Sequence, residues 1–140
     1  MRAVALDFGL KRTGIAVTDE LQLVAGALRW IESDQLMGFL DGYMGQYPVE
    51  VIVLGKPMYM DGTPMEINQN IDLLQQALEK RFSGVKVVRI DERFTSKQAS
   101  QTLHQLGVSK KQRQQKGNTD VISAVLLLQG YLQARGHGMF

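Results

Sequence analysis

Two apolar runs, "VEVIVLG" from Val49 and "VKVVRI" from Val85, bracket a helical pattern, and this triplet limits what the chain can fold into. The first run is almost continuously apolar, as expected of a central parallel strand covered on both faces. Between them Thr63 and Glu66 form a capping box with Pro64 at the first helical position. Ile67, Ile71, Leu74 and Leu78 recur at helical spacing up to Phe82, and Gly84 stops the pattern. Strand, helix and strand in this order make a right-handed crossover between parallel strands.

The residues before this unit read differently. Residues 2–7, "TGIAVTD" and "LQLVAGALRWI" are three strands with short connections, the second a tight one at Asp19 and Glu20. Short connections favour antiparallel neighbours. "SDQLMGFLDGYMGQY" then places Leu36, Phe39, Leu40 and Tyr43 on one helical face, started by Ser33 or Asp34 and ended by Pro48. Beyond residue 90, Thr95 and Gln98 offer a second capping box for a short helix with Ala99, Leu103 and Leu106, stopped by Gly107. Asn118 or Thr119 caps a last helix to about Arg135. The order βββαβαβαα predicts an α/β fold: a mixed five-stranded sheet, order 3-2-1-4-5, with helices on both faces. That is the ribonuclease H-like order. No repeat or linker divides the chain, so one domain is expected over residues 1–140.

The absence of cysteine excludes disulfides, zinc thiolate sites and thiol catalysis. No apolar run is long enough to span a bilayer, and no signal peptide is visible, so neither a membrane nor secretion is expected. The net charge of +2 marks no partner by itself. Distribution says more: Lys110, Lys111, Arg113 and Lys116 cluster in "SKKQRQQKG" with no acid among them. On charge alone that segment is a solvated loop. Tyr59 and the methionines from Met44 to Met65 read as packing residues.

Three acidic positions share one property. Asp7 closes the first strand, Asp91 and Glu92 close the last, and Asp120 opens an almost wholly apolar helix. In α/β sheets, sites gather outside the carboxyl ends of the strands. Carboxylates brought together there repel and stay ionised only beside positive charge. Mg²⁺ or Mn²⁺ fits, since both prefer hard oxygen ligands. Two such ions about 3.5–4 Å apart can activate water and stabilise the leaving oxygen of a phosphodiester. One strand separates the first from the last in this order, so their backbones lie roughly 10 Å apart. Glu92, the longer side chain, spans that gap more easily, and alternation turns only one of the pair toward it. Glu92 is favoured as ligand, with Asp91 second. Taken singly, Asp7 also reads as a turn former, Asp91 and Glu92 as a strand-end loop, and Asp120 as a complement to the helix dipole.

Four ordered motifs resemble the YqgF-type family of ribonuclease H-like proteins, described as Holliday junction resolvases and as pre-16S rRNA processing nucleases. They are "DFGLKRTGIAV", "GKPMYMDGT", "DERFTSKQA" and "KGNTDVISAVLLLQGYL". Lys56 stands where an apolar residue is commoner in the family. The resemblance covers nearly the whole chain. It implies a cytoplasmic, metal-dependent nuclease with Asp7, Glu92 and Asp120 as catalytic and metal-binding acids, and Mg²⁺ or Mn²⁺ as cofactor. It implies structured nucleic acid as substrate, pre-rRNA for the processing role or branched DNA for the resolvase role, with the ribosome as a further partner. Under that reading Lys11, Arg12, Lys56 and Arg93 hold phosphates beside the metals, and Lys110, Lys111, Arg113 and Lys116 grip a second stretch of backbone. A non-catalytic nucleic-acid-binding module of the same fold is the alternative. An ATP-binding fold also carries Asp-x-Gly in its first hairpin, but it needs two such lobes, and this chain has room for one.

Overall fold

In the computed structural model, residues 1–92, 118–136 and 138 are described. The sheet has five strands in the order β3-β2-β1-β4-β5. They are β1 (Arg2–Phe8), β2 (Arg12–Thr18), β3 (Ala25–Glu32), β4 (Val49–Lys56) and β5 (Lys86–Asp91). The first three pair antiparallel, and β4 joins β1 and β5 in parallel. This is the expected order. Three α-helices pack on it among the described residues: α1 (Leu36–Gln46), α2 (Asn68–Arg81) and α3 (Asn118–Gly136). None of them is long and apolar enough to cross a membrane. The helix expected around Ala99 to Leu106 lies outside the described residues.

Alternation along β1 divides the core in two. Val4 and Leu6 point with Ile15, Ile52 and Leu54 toward the layer that holds Leu36 and Leu40 of α1 and Ile71 and Leu78 of α2. Ala3 and Ala5 point the other way, with Ala16, Val51 and Val53, toward Ala124, Leu127 and Leu128 of α3. The alanines leave α3 little to stand on, so the helix comes close to the sheet. Asp7 continues the alanine row, and so falls on the α3 face.

Three boundaries differ from the sequence reading, each because a polar side chain takes backbone groups for a loop. Strand β3 starts at Ala25, since the Asp19 carboxylate accepts from the N–H groups of Leu23 and Val24, both at 2.8 Å, and holds residues 19–24 as a turn. Those bonds also lower the Asp19 pKa. Helix α2 starts at Asn68 rather than after Thr63. Asp61 takes both the Thr63 N–H (2.9 Å) and its hydroxyl (2.7 Å), so Thr63 cannot cap a helix. Asn68 closes the loop instead, donating its amide to the carbonyls of Pro57 and Met65. Neither Ser33 nor Asp34 caps α1; a 3-10 turn, Ser33–Gln35, precedes it. The Ser33 hydroxyl donates instead to the Gly9 carbonyl at 2.6 Å.

Leu6 is fully buried beside the site strand's end. Leu6→Ala is expected to cost about 2–5 kcal/mol, the range for a leucine removed from a tight core. Urea unfolding of both proteins measures it.

Candidate active site

Strand register puts two glycines beside Asp7. Gly14 of β2 is its cross-strand partner. On the other side Leu6 pairs with Leu54, so Gly55 of β4 stands next to Asp7. Each glycine leaves room for another acid. A Cβ on Gly14 would fall on the Asp120 carbonyl and the Val121 nitrogen, so the first turn of α3 rests directly on this strand. A Cβ on Gly55 would lie 2.5 Å from the Glu92 carboxylate oxygen and 2.7 Å from its carboxyl carbon. Glu92 therefore lies over β4 from the end of β5 and reaches Asp7.

Asp91 does not share that position. It is the partner of Lys56 in the β4–β5 ladder, and alternation turns it toward the α2 face. Lys56 lines a groove there with Pro64, Asn68, Asp72 and Arg89, so the sheet separates it from Asp7. Sharing the strand edge does not bring Lys56 beside the acids, because its position in the pleat is of the wrong parity.

The Asp7 carboxyl is held well above the usual carboxylate range. Burial is the main cause, followed by the charges of Glu92 and Asp120 and a hydrogen bond to Glu92. The two carboxyls share a hydrogen bond, so one of the pair is driven toward its protonated form. Burial still pushes Glu92 upward, against the Asp7 bond and the positive charge of Arg89. Asp120 is also raised by burial, and Arg12 opposes the shift. Arg12 Nε lies 3.6 Å from Asp120 Oδ2, an ion pair too long for a hydrogen bond. That Nε is buried and has no hydrogen-bond partner among the described residues.

The turn carrying Lys11 and Arg12 is stapled in place. Gly9 N–H donates to the Arg12 carbonyl at 2.9 Å, and a Cβ on Gly9 would meet that carbonyl at 2.8 Å. Ser33 N–H donates to the Lys11 carbonyl. Since the Ser33 hydroxyl proton goes to Gly9, the Thr13 hydroxyl donates to Ser33 Oγ at 2.8 Å. Lys11 is exposed at the tip, and Arg12 turns inward to Asp120. Arg93, Lys110, Lys111, Arg113 and Lys116 lie outside the described residues.

The donor set consists of hard carboxylate oxygens, which suits Mg²⁺ or Mn²⁺. Among the described residues no three such side chains already enclose an ion. Asp7 and Glu92 touch, while Asp120 is held toward Arg12, so two donors are together and the third is one ion pair away.

Three contributors escaped the sequence reading. Gly14 and Gly55 are glycines inside strands, a signal of close approach. Arg89 is a charged residue in an apolar strand: its guanidinium bonds Asn68 and Asp72 of α2, both at 2.7 Å, and the Gly55 carbonyl at 3.1 Å. It thereby fixes the backbone under Glu92. Tyr59 and Met60 do not pack as expected; they are 49% and 87% exposed. Their loop closes through its own backbone, Tyr59 N–H to Thr63 and Gly62 N–H to Tyr59, and needs no buried side chain.

A family model described as "RuvX: Holliday junction resolvase" matches residues 1–134. A relative from Flavobacterium johnsoniae, named "Putative pre-16S rRNA nuclease", is 46% identical over 134 residues, covering 96% of this chain and 97% of its own. One of the same name from Bacteroides thetaiotaomicron is 44% identical over the same shares. The structure of Thermus thermophilus RuvC in complex with a Holliday junction superposes with a TM-score of 0.61 at 15% identity, covering 99% of this chain and 98% of that one. At that identity the likeness is one of fold, the ribonuclease H-like one.

The pH dependence of stability tests the carboxyl geometry. A raised Asp7 pKa means that the folded state binds the proton more tightly than the unfolded state. With chelator present, Asp7 should therefore cost stability as pH rises above the ordinary carboxylate value. Asp7→Asn should unfold at a higher temperature than the parent at pH 7, and the gap should close near pH 3. Equal melting temperatures at pH 7 would contradict the contact with Glu92.

Proposed function

We propose that this chain, which belongs to the RuvX Holliday junction resolvase family, is a metal-dependent nuclease that hydrolyses phosphodiester bonds in structured nucleic acid. The observation that carries the reading is the meeting of Asp7 and Glu92 across Gly55, with Asp120 brought down beside them over Gly14. Such a cluster is poised to exchange a proton for a cation. Asp7, Glu92 and Asp120 are the residues that would hold Mg²⁺ or Mn²⁺. When bound, these ions activate a water and stabilise the leaving oxygen of a phosphodiester.

The chain's own groups do the rest. Asp7 and Glu92 would present their carboxylate oxygens from adjoining positions. Asp120 would leave its long pairing with Arg12, and the half-buried guanidinium would become available to a phosphate oxygen. Lys11, at the tip of the same stapled turn, meets the backbone next to it. Arg93 follows Glu92 directly and is assigned to the same phosphate. Lys110, Lys111, Arg113 and Lys116 supply a second backbone contact.

The names of the relatives favour pre-16S rRNA as the substrate, and we extend that reading to processing of its 5′ end by a cytoplasmic protein working with the ribosome. The family's description favours a second reading, resolution of branched DNA. Precursor RNA and a four-way DNA junction, offered side by side with Mn²⁺, separate the two. Asp7→Asn should reduce cleavage of the true substrate at least 100-fold and weaken Mn²⁺ binding. Unchanged cleavage by that variant excludes the metal mechanism. A parent that binds nucleic acid but never cuts is a binding module.

The basic segment has its own test. Replacing Lys110, Lys111 and Arg113 together by Ala should weaken binding and reduce the slope of log affinity against log salt by about two to three. An unchanged slope removes that segment from the interface.

A further inference from the structure

One row of the sheet extends beyond the acids. Trp30 of β3 stands opposite Gly14 of β2, which stands opposite Asp7. The three share the face that carries α3, and Trp30 lies roughly 10 Å from Asp7, two strand spacings away. Strand β3 is the edge of the sheet. Between it and the start of α3 runs a groove of about 880 Å³, with Arg29, Trp30 and Glu32 on one side and Asn118, Val121 and Ile122 on the other.

The groove's walls are specific in chemistry. An indole lines the groove together with the branched aliphatic residues Val121 and Ile122, a lining suited to a flat apolar ring. Asn118 and Gln35, both amides, stand at its rim. A nucleobase is such a ring with hydrogen-bonding edges, and aromatic side chains accept any base face. The first turn of α3 stands over Gly14, so a strand passing the amino end of that helix would run from Asp7 into the groove.

We propose that Trp30 is a stacking platform for an unpaired nucleobase next to the phosphate held at Asp7. The proposal rests on the nuclease reading and adds to it a positioned base on the β3 side. It makes the substrate locally single-stranded where it meets the enzyme.

Trp30 is the only tryptophan in the chain, so its fluorescence reports on this groove alone. The full-length protein, in chelator to prevent cleavage, is titrated with an oligonucleotide of one sequence made as RNA and as DNA. Anisotropy of end-labelled strands reads binding, and tryptophan emission with unlabelled strands reads stacking. Saturable quenching is expected at the midpoint of binding, and the arm that quenches identifies the sugar preferred. Trp30→Leu should weaken binding roughly 5- to 150-fold, and Trp30→Phe should restore most of it. If Trp30→Leu does not fold, quenching of the parent and the affinity of Trp30→Phe decide. Binding with a silent tryptophan overturns the stacking role and leaves the acid site standing, whereas absence of binding by either strand overturns both. Emission that changes with protein concentration alone assigns the groove to a second copy of the chain and overturns the proposal too.

Discussion

The carboxyl of Asp7 is held against Glu92 across a strand that has no side chain there to keep them apart. Everything around the site serves that contact. Gly55 provides the passage, Arg89 pins the Gly55 carbonyl to α2, and the parallel ladder sets the ends of β4 and β5 at the height of Asp7. On the other flank Gly14 lets α3 settle low enough to bring Asp120 within reach of the same charge. Two glycines and a row of alanines thus convert an ordinary helix–sheet packing into a gathering of like charges. Such packing stores electrostatic cost in the folded state, and a cation relieves it.

Much of this was legible in the sequence. The strand order followed from short antiparallel connections before residue 32 and a helical crossover after Lys56. Why Glu92 rather than Asp91 lies over β4 follows from strand alternation and side-chain length, both readable from residue type. Other features were not legible because the signals they leave are ambiguous. A glycine inside a strand reads as weakness, and only the register shows what fills its space. Thr63, Pro64 and Glu66 form a valid capping box, yet Asp61, two residues earlier, holds the same threonine in a turn. Lys56 sits at the right edge of the sheet and on the wrong side of it, a distinction that one residue of phase decides.

The turn between β1 and β2 illustrates how the fold positions charge without rigid bulk. Lys11 belongs to the three-residue connection Gly9–Lys11, which alone would be mobile, and Arg12 opens β2 directly after it. Thr13 and Ser33, from two different strand ends, tie it down through three consecutive hydroxyl and backbone bonds. The entry to α1 is thereby part of the scaffold of the acid site, although α1 itself packs on the opposite face.

The last helix also ties together the distant ends of the chain. Arg135 donates to Gln22 across 113 residues of sequence, and Asp120 meets a strand formed from residues near the start. Contacts of that span form late, since loop closure must precede them. A nascent chain still lacking its final helix has one face of its sheet uncovered, no third acid and no wall facing Trp30. During synthesis, then, the three acids can come together only after α3 has emerged and docked on Gly14.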